Sequence, residues 1–441
     1  MSSEWRMTTV EEIAAPRPAA MATGPFGSSI SAKYFVPSGV PVIRGGNLSA
    51  DVTIRLNDEG LVFVSEEKAS EFQRSTAVRG DLVFTCWGTI NQVGLVDASS
   101  RYTRYVVSNK QMKLSVDPTK ADSLFLYYLF SGPEKQEGIL NNGIGSSVPG
   151  FNLGQLKKHV LLLPPLREQE QIAAMLGSLD GRIALLRETN ATLEAIAQAL
   201  FKSWFVDFDP VRTKSQGLPL AGMDEATATL FPDSFEESAL GFVPKGWRPG
   251  VLGEVVRTIK SQLHPSELHA AMNYVGLEHL PRKSLSVVNW ETADGLESAK
   301  AKFSEGDVLF GKLRPYFHKV VVAPFDGVCS TDILVCQSKQ RAYYGFAAMQ
   351  LFSAELIAYA DRLSNGAKMP RIGWNDIAAY PLIVPSEAIA SAYTAVVSPV
   401  LDRMKGNVFR AQTLATLRDT LLPRLISGQL RLPEAQALVA Q

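Results

Sequence analysis

The second half of the chain is a diverged copy of the first. Trp5, Arg6, Glu12 and Ile13 return 242 residues later as Trp247, Arg248, Glu254 and Val255. Gly80-Asp81-Leu82-Val83-Phe84 returns at an offset of 226 as Gly306-Asp307-Val308-Leu309-Phe310, and both copies read as a turn followed by a buried strand. From Gly145 onward the offset settles at 221, pairing Gly145 with Gly366, Pro149 with Pro370, Pro164 with Pro385, Thr192-Leu193 with Thr413-Leu414 and Leu200 with Leu421. Length changes therefore lie in the globular part, where surface loops tolerate them. The segment that keeps its length to the residue behaves like a pair of helices that must match. Each half is a domain plus a helix.

The helices follow from spacing. Ile172, Leu179, Leu186, Leu193 and Leu200 recur every seven residues, and Leu176, Ile183, Asn190, Ala197 and Trp204 complete a heptad seam. A helix from 166 to 207 is about 60 Å long at 1.5 Å per residue and needs a partner along its length. The second half supplies one from 387 to 428, with Tyr393, Val397, Val400, Met404, Ala411, Leu414, Leu421 and Leu425 at the same spacing. That seam carries Arg418, and Pro399 and Pro423 are expected to kink or break it. Asn190 and Asn407 interrupt their seams near mid-helix. Each is either a tolerated, partly hydrated polar residue or one that fixes register.

Prolines and glycines set the expected boundaries: a first domain over 1–164, a first helix over 165–207 opened by Pro164-Pro165, and a linker over 208–244. A second domain follows over 245–385, then a second helix over 386–428 and a tail over 429–441. At 441 residues the chain is too long for one core, and 46% hydrophobic with 20% charged residues is ordinary for a folded, soluble protein. No apolar run approaches a membrane span, the start lacks a basic flank with an apolar core, and Cys86, Cys329 and Cys336 show no metal or disulfide spacing. A cytoplasmic location with reduced cysteines is expected. Net charge is zero, with weak excesses of base in 1–164 and 245–385 that permit nucleic-acid binding without requiring it.

Catalytic signatures are missing. The only Pro-Pro pair lies between Leu163 and Leu166, not in an amino-methyltransferase context, and His159, His264, His269, His279 and His318 show no metal-ligand spacing. No nucleophile elbow is present. Gly306 to Lys312 resembles a phosphate-binding loop, but Leu313 stands where a hydroxyl would hold magnesium and Asp307 to Phe310 reads as a strand. No metal, cofactor or catalytic residue is expected.

The run Leu163-Pro164-Pro165-Leu166-Arg167-Glu168-Gln169-Glu170-Gln171-Ile172-Ala173 is one of four stretches that, on this repeat, resemble the specificity subunit of type I restriction-modification systems. The others are Leu200-Phe201-Lys202-Ser203-Trp204-Phe205-Val206-Asp207-Phe208-Asp209-Pro210-Val211, Pro244-Lys245-Gly246-Trp247 and Leu421-Leu422-Pro423-Arg424-Leu425-Ile426-Ser427-Gly428. The resemblance covers nearly the whole chain. It implies a mixed α/β fold with two target-recognition domains in a pseudo-twofold repeat, separated by two long antiparallel coiled-coil helices. It also implies partners: double-stranded DNA, two methyltransferase subunits and restriction subunits that translocate and cut, with no membrane. Each domain would read one half of a split asymmetric target, the helices would set the spacer, and the complex would methylate adenine. Leu166, Glu168, Gln169 and Ile172 are the expected partner-docking residues. The second junction, Val384-Pro385-Ser386-Glu387, lacks the Pro-Pro-Leu and Glu-Gln of the first, so identical docking there is not implied.

Because bases are read through hydrogen bonds and apolar contacts while polar and basic groups fix position on phosphates, DNA-contacting residues are sought in polar loops between buried strands. In the first domain these are Arg44, Asn47, Thr89, Asn91, Asn109, Lys110, Ser146, Ser147 and Asn152. In the second they are Lys312, Arg314, Tyr316, His318, Thr331, Lys368, Arg371 and Asn375. If 312–318 is a strand, Lys312, Arg314, Tyr316 and His318 share one face, at a sheet edge because of Pro315. Three other readings compete: a non-DNA scaffold built on the paired helices, an enzyme with an unrecognised site, and an orphan specificity chain using a borrowed methyltransferase.

Overall fold

The computed structural model describes residues 5–141, 143, 150–366 and 368–439. The chain forms two compact units, one of residues 1–184 with 413–441 and the other of residues 185–412. Both are mixed α/β, and they are built to the same plan.

In the first unit an antiparallel four-stranded sheet runs Met21–Thr23, Gln111–Leu114, Leu82–Thr85, Val93–Leu95. In the second the same order is Val256–Ile259, Ile333–Ser338, Val308–Gly311, Val320–Val322. The Leu82–Thr85 and Val308–Gly311 strands are the repeated Gly-Asp-turn strands, and every residue of both is buried. A second sheet of five strands contains one parallel pair in each unit, Val40–Ile43 with Arg104–Val107 and Asn273–Val275 with Gly327–Cys329. Four strands of this sheet correspond between the units. The fifth does not, since Phe35–Val36 joins one end and Gln262–Leu263 the other.

Helices cover the four-stranded sheet. Ser123–Ser131 and Pro133–Asn141 in the first unit match Tyr344–Phe352 and Ala354–Leu363 in the second. The chain start pairs with the strand before each long helix: Arg6–Thr9 with Val160–Leu163, and Arg248–Val251 with Pro381–Val384. The expected linker stretch is folded, with helices Asp209–Ser215 and Glu225–Leu230 and a hairpin of Phe235–Ser238 with Gly241–Pro244. Val211 and Phe231 anchor it in the core of the second unit.

Leu166–Phe205 and Glu387–Ile426 are helices of 40 residues each, offset by 221 at both ends. The first begins in one unit and ends in the other, and the second does the reverse. Within the second unit they run antiparallel. Asn190 Nδ2 donates to the Met404 carbonyl at 3.0 Å, Asn407 Nδ2 donates to Asn190 Oδ1 at 2.9 Å, and further along the Tyr393 hydroxyl donates to the Ala197 carbonyl at 2.9 Å. The mid-seam asparagines thus bond to each other, which fixes their register. In the first unit Arg418 Nη1 meets Asp180 Oδ1 at 3.0 Å, both buried, and the Tyr128 hydroxyl donates to the same carboxylate.

Contrary to expectation, Pro399 and Pro423 do not interrupt the second helix. Each removes one backbone donor. Pro399 and Ala395, whose carbonyl loses that donor, are both exposed to water. Neighbouring turns are held by buried Val397 and Leu401, and around Pro423 by Leu421, Leu422 and Leu425.

His159, between the helix Leu153–Lys158 and the strand Val160–Leu163, sits beside Phe130 and Phe151 with its Nε2 buried and unpartnered. Burial, reinforced by the charge of Lys135, pulls its pKa from 6.5 down to about 4. Above pH 6.5 folded and unfolded chains are both neutral here. As pH falls below it the unfolded chain takes up a proton that the folded one refuses, so stability drops until about pH 4. His159→Phe is expected to flatten the fall in melting temperature between pH 6.5 and 4; an unchanged slope would show that this imidazole is not its source.

Candidate nucleic-acid interface

At one end of each four-stranded sheet, the loop after the central buried strand is clamped by two other segments. In the first unit Cys86 N donates to the Lys110 carbonyl at 2.7 Å, Phe151 N donates to the Cys86 carbonyl at 2.8 Å, and Trp87 bridges Gly150. In the second unit Lys312 N donates to Asp332 at 3.0 Å, Ile372 N donates to the Lys312 carbonyl at 3.0 Å, and Leu313 bridges Arg371. The offsets of the repeat map Cys86 and Trp87 onto Lys312 and Leu313 and Gly150 and Phe151 onto Arg371 and Ile372, while Lys110 meets its counterpart Asp332 at an offset of 222. A backbone arrangement kept while the side chains change (Cys86 to Lys312, Trp87 to Leu313) gives both units one scaffold with different groups displayed on it.

In the first unit this clamp gathers Thr89, Asn91, Asn109 and Lys110. Ser146 and Ser147 lie outside the described residues. Asn152 starts the next helix as its cap, accepting from Gln155 N at 3.0 Å. Arg44 is exposed beside the parallel pair of the five-stranded sheet, near the Phe35 ring. Asn47 is withdrawn from the interface: it is buried, its Oδ1 accepts from Arg44 N, and its Nδ2 donates to the Asn57 and Glu59 carbonyls. With every polar atom occupied, it braces a loop.

In the second unit the expected strand over 312–318 is a loop closed by a 3-10 turn, Pro315–Phe317. Arg314 and His318 flank it with φ of 50° and 51°, a left-handed backbone that side chains other than glycine's disfavour. No common face exists for Lys312, Arg314, Tyr316 and His318. Arg314 N donates to Pro370, its Nη2 donates to the Lys368 carbonyl at 3.2 Å, and its Nε is buried without a partner. His318 is buried, its Nε2 at 2.8 Å from the Phe352 carbonyl, and burial lowers its pKa, so it too leaves the interface. Tyr316, Thr331, Lys368, Arg371 and Asn375 are exposed and Lys312 half-buried. Arg371 pairs with Asp332 at 3.1 Å.

At the first junction, Gln169 is almost fully buried, accepting from Asp122 N at 3.0 Å and donating to the Pro164 carbonyl at 2.8 Å, while Ile172 is in the core. Both hold the helix to its own domain and so are removed from the docking set. Leu166 and Glu168 keep accessible surface. One exposed group of the clamp was overlooked in the sequence: Trp87, 52% exposed. Coming just after a repeated buried strand, it reads in the sequence as a core aromatic. Among the described residues no group of three His, Cys, Asp or Glu side chains is placed to hold a metal, and no helix is long and apolar enough to cross a membrane.

The sequence matches the family model described as the type I restriction modification DNA specificity domain over residues 27–195. It is 24% identical to the type I restriction enzyme MjaIX specificity subunit of Methanocaldococcus jannaschii, across 84% of this chain and 82% of that one. The EcoDI specificity subunit of Escherichia coli is 28% identical across 61% of both chains, and the HindI specificity subunit of Haemophilus influenzae is 25% identical across 74% and 81%. Among solved structures, the S subunit of a type I system from M. genitalium shares the fold, with a TM-score of 0.55, 15% identity and 96% of each chain covered.

Proposed function

We propose, from the likeness of this chain to the specificity subunits of type I restriction-modification systems, that it is one of them and that each unit reads one half of a split, asymmetric DNA target. The observation that carries this reading is the duplicated clamp, with one backbone scaffold displaying different side chains in each unit. Two unlike readers in one chain call for an asymmetric target, and two helices of equal, fixed length call for a constant gap between its halves. The family is generally non-catalytic. Methylation of adenine and cleavage of unmarked DNA then belong to two methyltransferase subunits and to the restriction subunits, assembled in the cytoplasm where the chromosome lies.

Leu166 and Glu168, still accessible at the start of the first long helix, are the side chains proposed to meet a methyltransferase subunit. The exposed cations Arg44, Lys110, Lys368 and Arg371 fit phosphate contacts, which set position, while Thr89, Asn91 and Asn375 offer donors and acceptors to base edges. The reading is tested by mapping adenine methylation in a methylation-free host given the methyltransferase subunit with and without this chain.

A further inference from the structure

Each unit holds one aromatic ring out toward solvent from the same clamped loop. In the first unit it is Trp87, 52% exposed, in the loop between Leu82–Thr85 and Val93–Leu95. In the second it is Tyr316, 48% exposed, between Val308–Gly311 and Val320–Val322. A half-exposed indole or phenol ring leaves apolar surface in water, and neither ring dangles from a loose loop.

The Trp87 indole packs against Gly150 so closely that a methyl group there would stand 2.7 Å from indole Cζ3. Its own backbone is bridged to that residue, and the flanking Cys86 and Phe151 are hydrogen-bonded. Tyr316 sits at the crest of the 3-10 turn, its ring 4.6 Å from Phe317, which is in turn covered by the Arg282 guanidinium at 3.9 Å. The two left-handed residues on either side, Arg314 and His318, are anchored by Pro370 and Phe352. In both units the surrounding structure fixes an aromatic ring on the outside of the molecule, so little ordering entropy remains to be lost when something covers it.

We propose, building on the DNA-reading role above, that Trp87 and Tyr316 are specificity-determining residues, each pressing its ring against a base in its own half-site. The rings have one polar hydrogen each, so they cannot read a base pair by paired hydrogen bonds as an arginine or asparagine does. Their chemistry is apolar contact, either with the face of an unstacked base or with a thymine methyl group. Next to them stand the groups that such a contact needs for positioning: Thr89 and Lys110 in one unit, Lys312 and Lys368 in the other. The two rings are not at identical repeat positions, Leu313 being the counterpart of Trp87, which matches two loops that display different side chains on one scaffold.

The test uses the complete complex of this chain with its methyltransferase, comparing methylated motifs and rates for Trp87→Ala, Trp87→Phe, Tyr316→Ala and Tyr316→Phe. Losing one ring contact is expected to slow methylation about 5- to 100-fold at limiting enzyme and to relax base preference in one half of the motif only. Trp87→Ala and Tyr316→Ala should affect opposite halves, and the phenylalanine variants should recover most of the rate, since a ring remains. An unchanged motif with rates within about 2-fold of the parent overturns the assignment. So does relaxation of both halves by either variant, which would mean that the ring acts through the fold. If the unmodified complex yields no split motif, the DNA-reading role itself fails, and the assignment with it.

Discussion

Arg418→Ala is expected to destabilise the chain by about 3–5 kcal/mol in denaturant unfolding, because it strands a buried carboxylate. Asp180 is 3% exposed, and burial raises its pKa even with Tyr128 and Arg418 bonded to it. Without Arg418 the carboxylate keeps the Tyr128 hydroxyl as its bonded partner, with the Arg55 charge acting on it without a bond. The repeat supplies the compensating change. At the offset of 221, Asp180 corresponds to Leu401, Arg418 to Ala197 and Tyr128 to Met349, all three buried. The other buried polar side chains on the long helices, Gln169, Asn190, Glu194 and Asn407, likewise correspond to apolar residues, to buried Ala390 and to half-buried Ala411, Ala415 and Leu186. Each half of the repeat therefore carries its buried polar side chains where the other is apolar. The triple variant Tyr128→Met, Asp180→Leu, Arg418→Ala grafts the apolar solution of one unit onto the other and is expected within about 1.5 kcal/mol of the parent. A triple variant as unstable as Arg418→Ala alone would show that the cost comes from lost packing rather than from the uncompensated charge.

Phe205→Ala should cost a similar amount, about 3–5 kcal/mol, for a different reason. Phe205 ends the first long helix inside an aromatic cluster of the second unit. Its ring is 4.9 Å from both Phe346 and Tyr393, 5.4 Å from Phe201 and 5.8 Å from Trp247. Truncation leaves a cavity among rings whose own contacts prevent collapse. Phe242, 72% exposed on the hairpin of the same unit, is the control: Phe242→Ala should change stability by less than about 0.5 kcal/mol. Equal effects of the two substitutions, measured by denaturant unfolding of the full chain, would contradict the core placement of Phe205.

The long helices were legible because heptad spacing reports directly on which side chains face a partner, and their equal length because the offset of 221 never drifts between Pro164 and Leu421. The two readings of Asn190 could not be separated without knowing what lay opposite. The structure puts Asn407 and the Met404 carbonyl there. Sheet order was beyond reach, since strands such as Val40–Ile43 and Arg104–Val107 pair in parallel across a long separation that no local pattern encodes. The interface was legible as loops and not as side chains. Alternation over Lys312, Arg314, Tyr316 and His318 looked like one face of a strand, but contacts from Pro370 and Phe352 hold the segment as a turn. Asn47 and His318 looked available because polar residues in loops usually are, and Gln169 because polar residues in the first turn of a helix usually are. Each is instead buried with backbone partners that lie far from it in sequence or that only the folded loop brings close. Trp87 was passed over because an aromatic after a buried strand reads as core, and only the clamp with Gly150 turns it outward.

Whether this chain supplies the sequence specificity of a methylating complex is decided by adenine-methylation sequencing. A methylation-free host would carry the methyltransferase subunit with this chain, with the chain omitted, and with the chain alone. One split, asymmetric motif with a constant gap is expected, present only when chain and methyltransferase are together. A soluble complex of the two that marks no motif, or marks that persist without this chain, would contradict it.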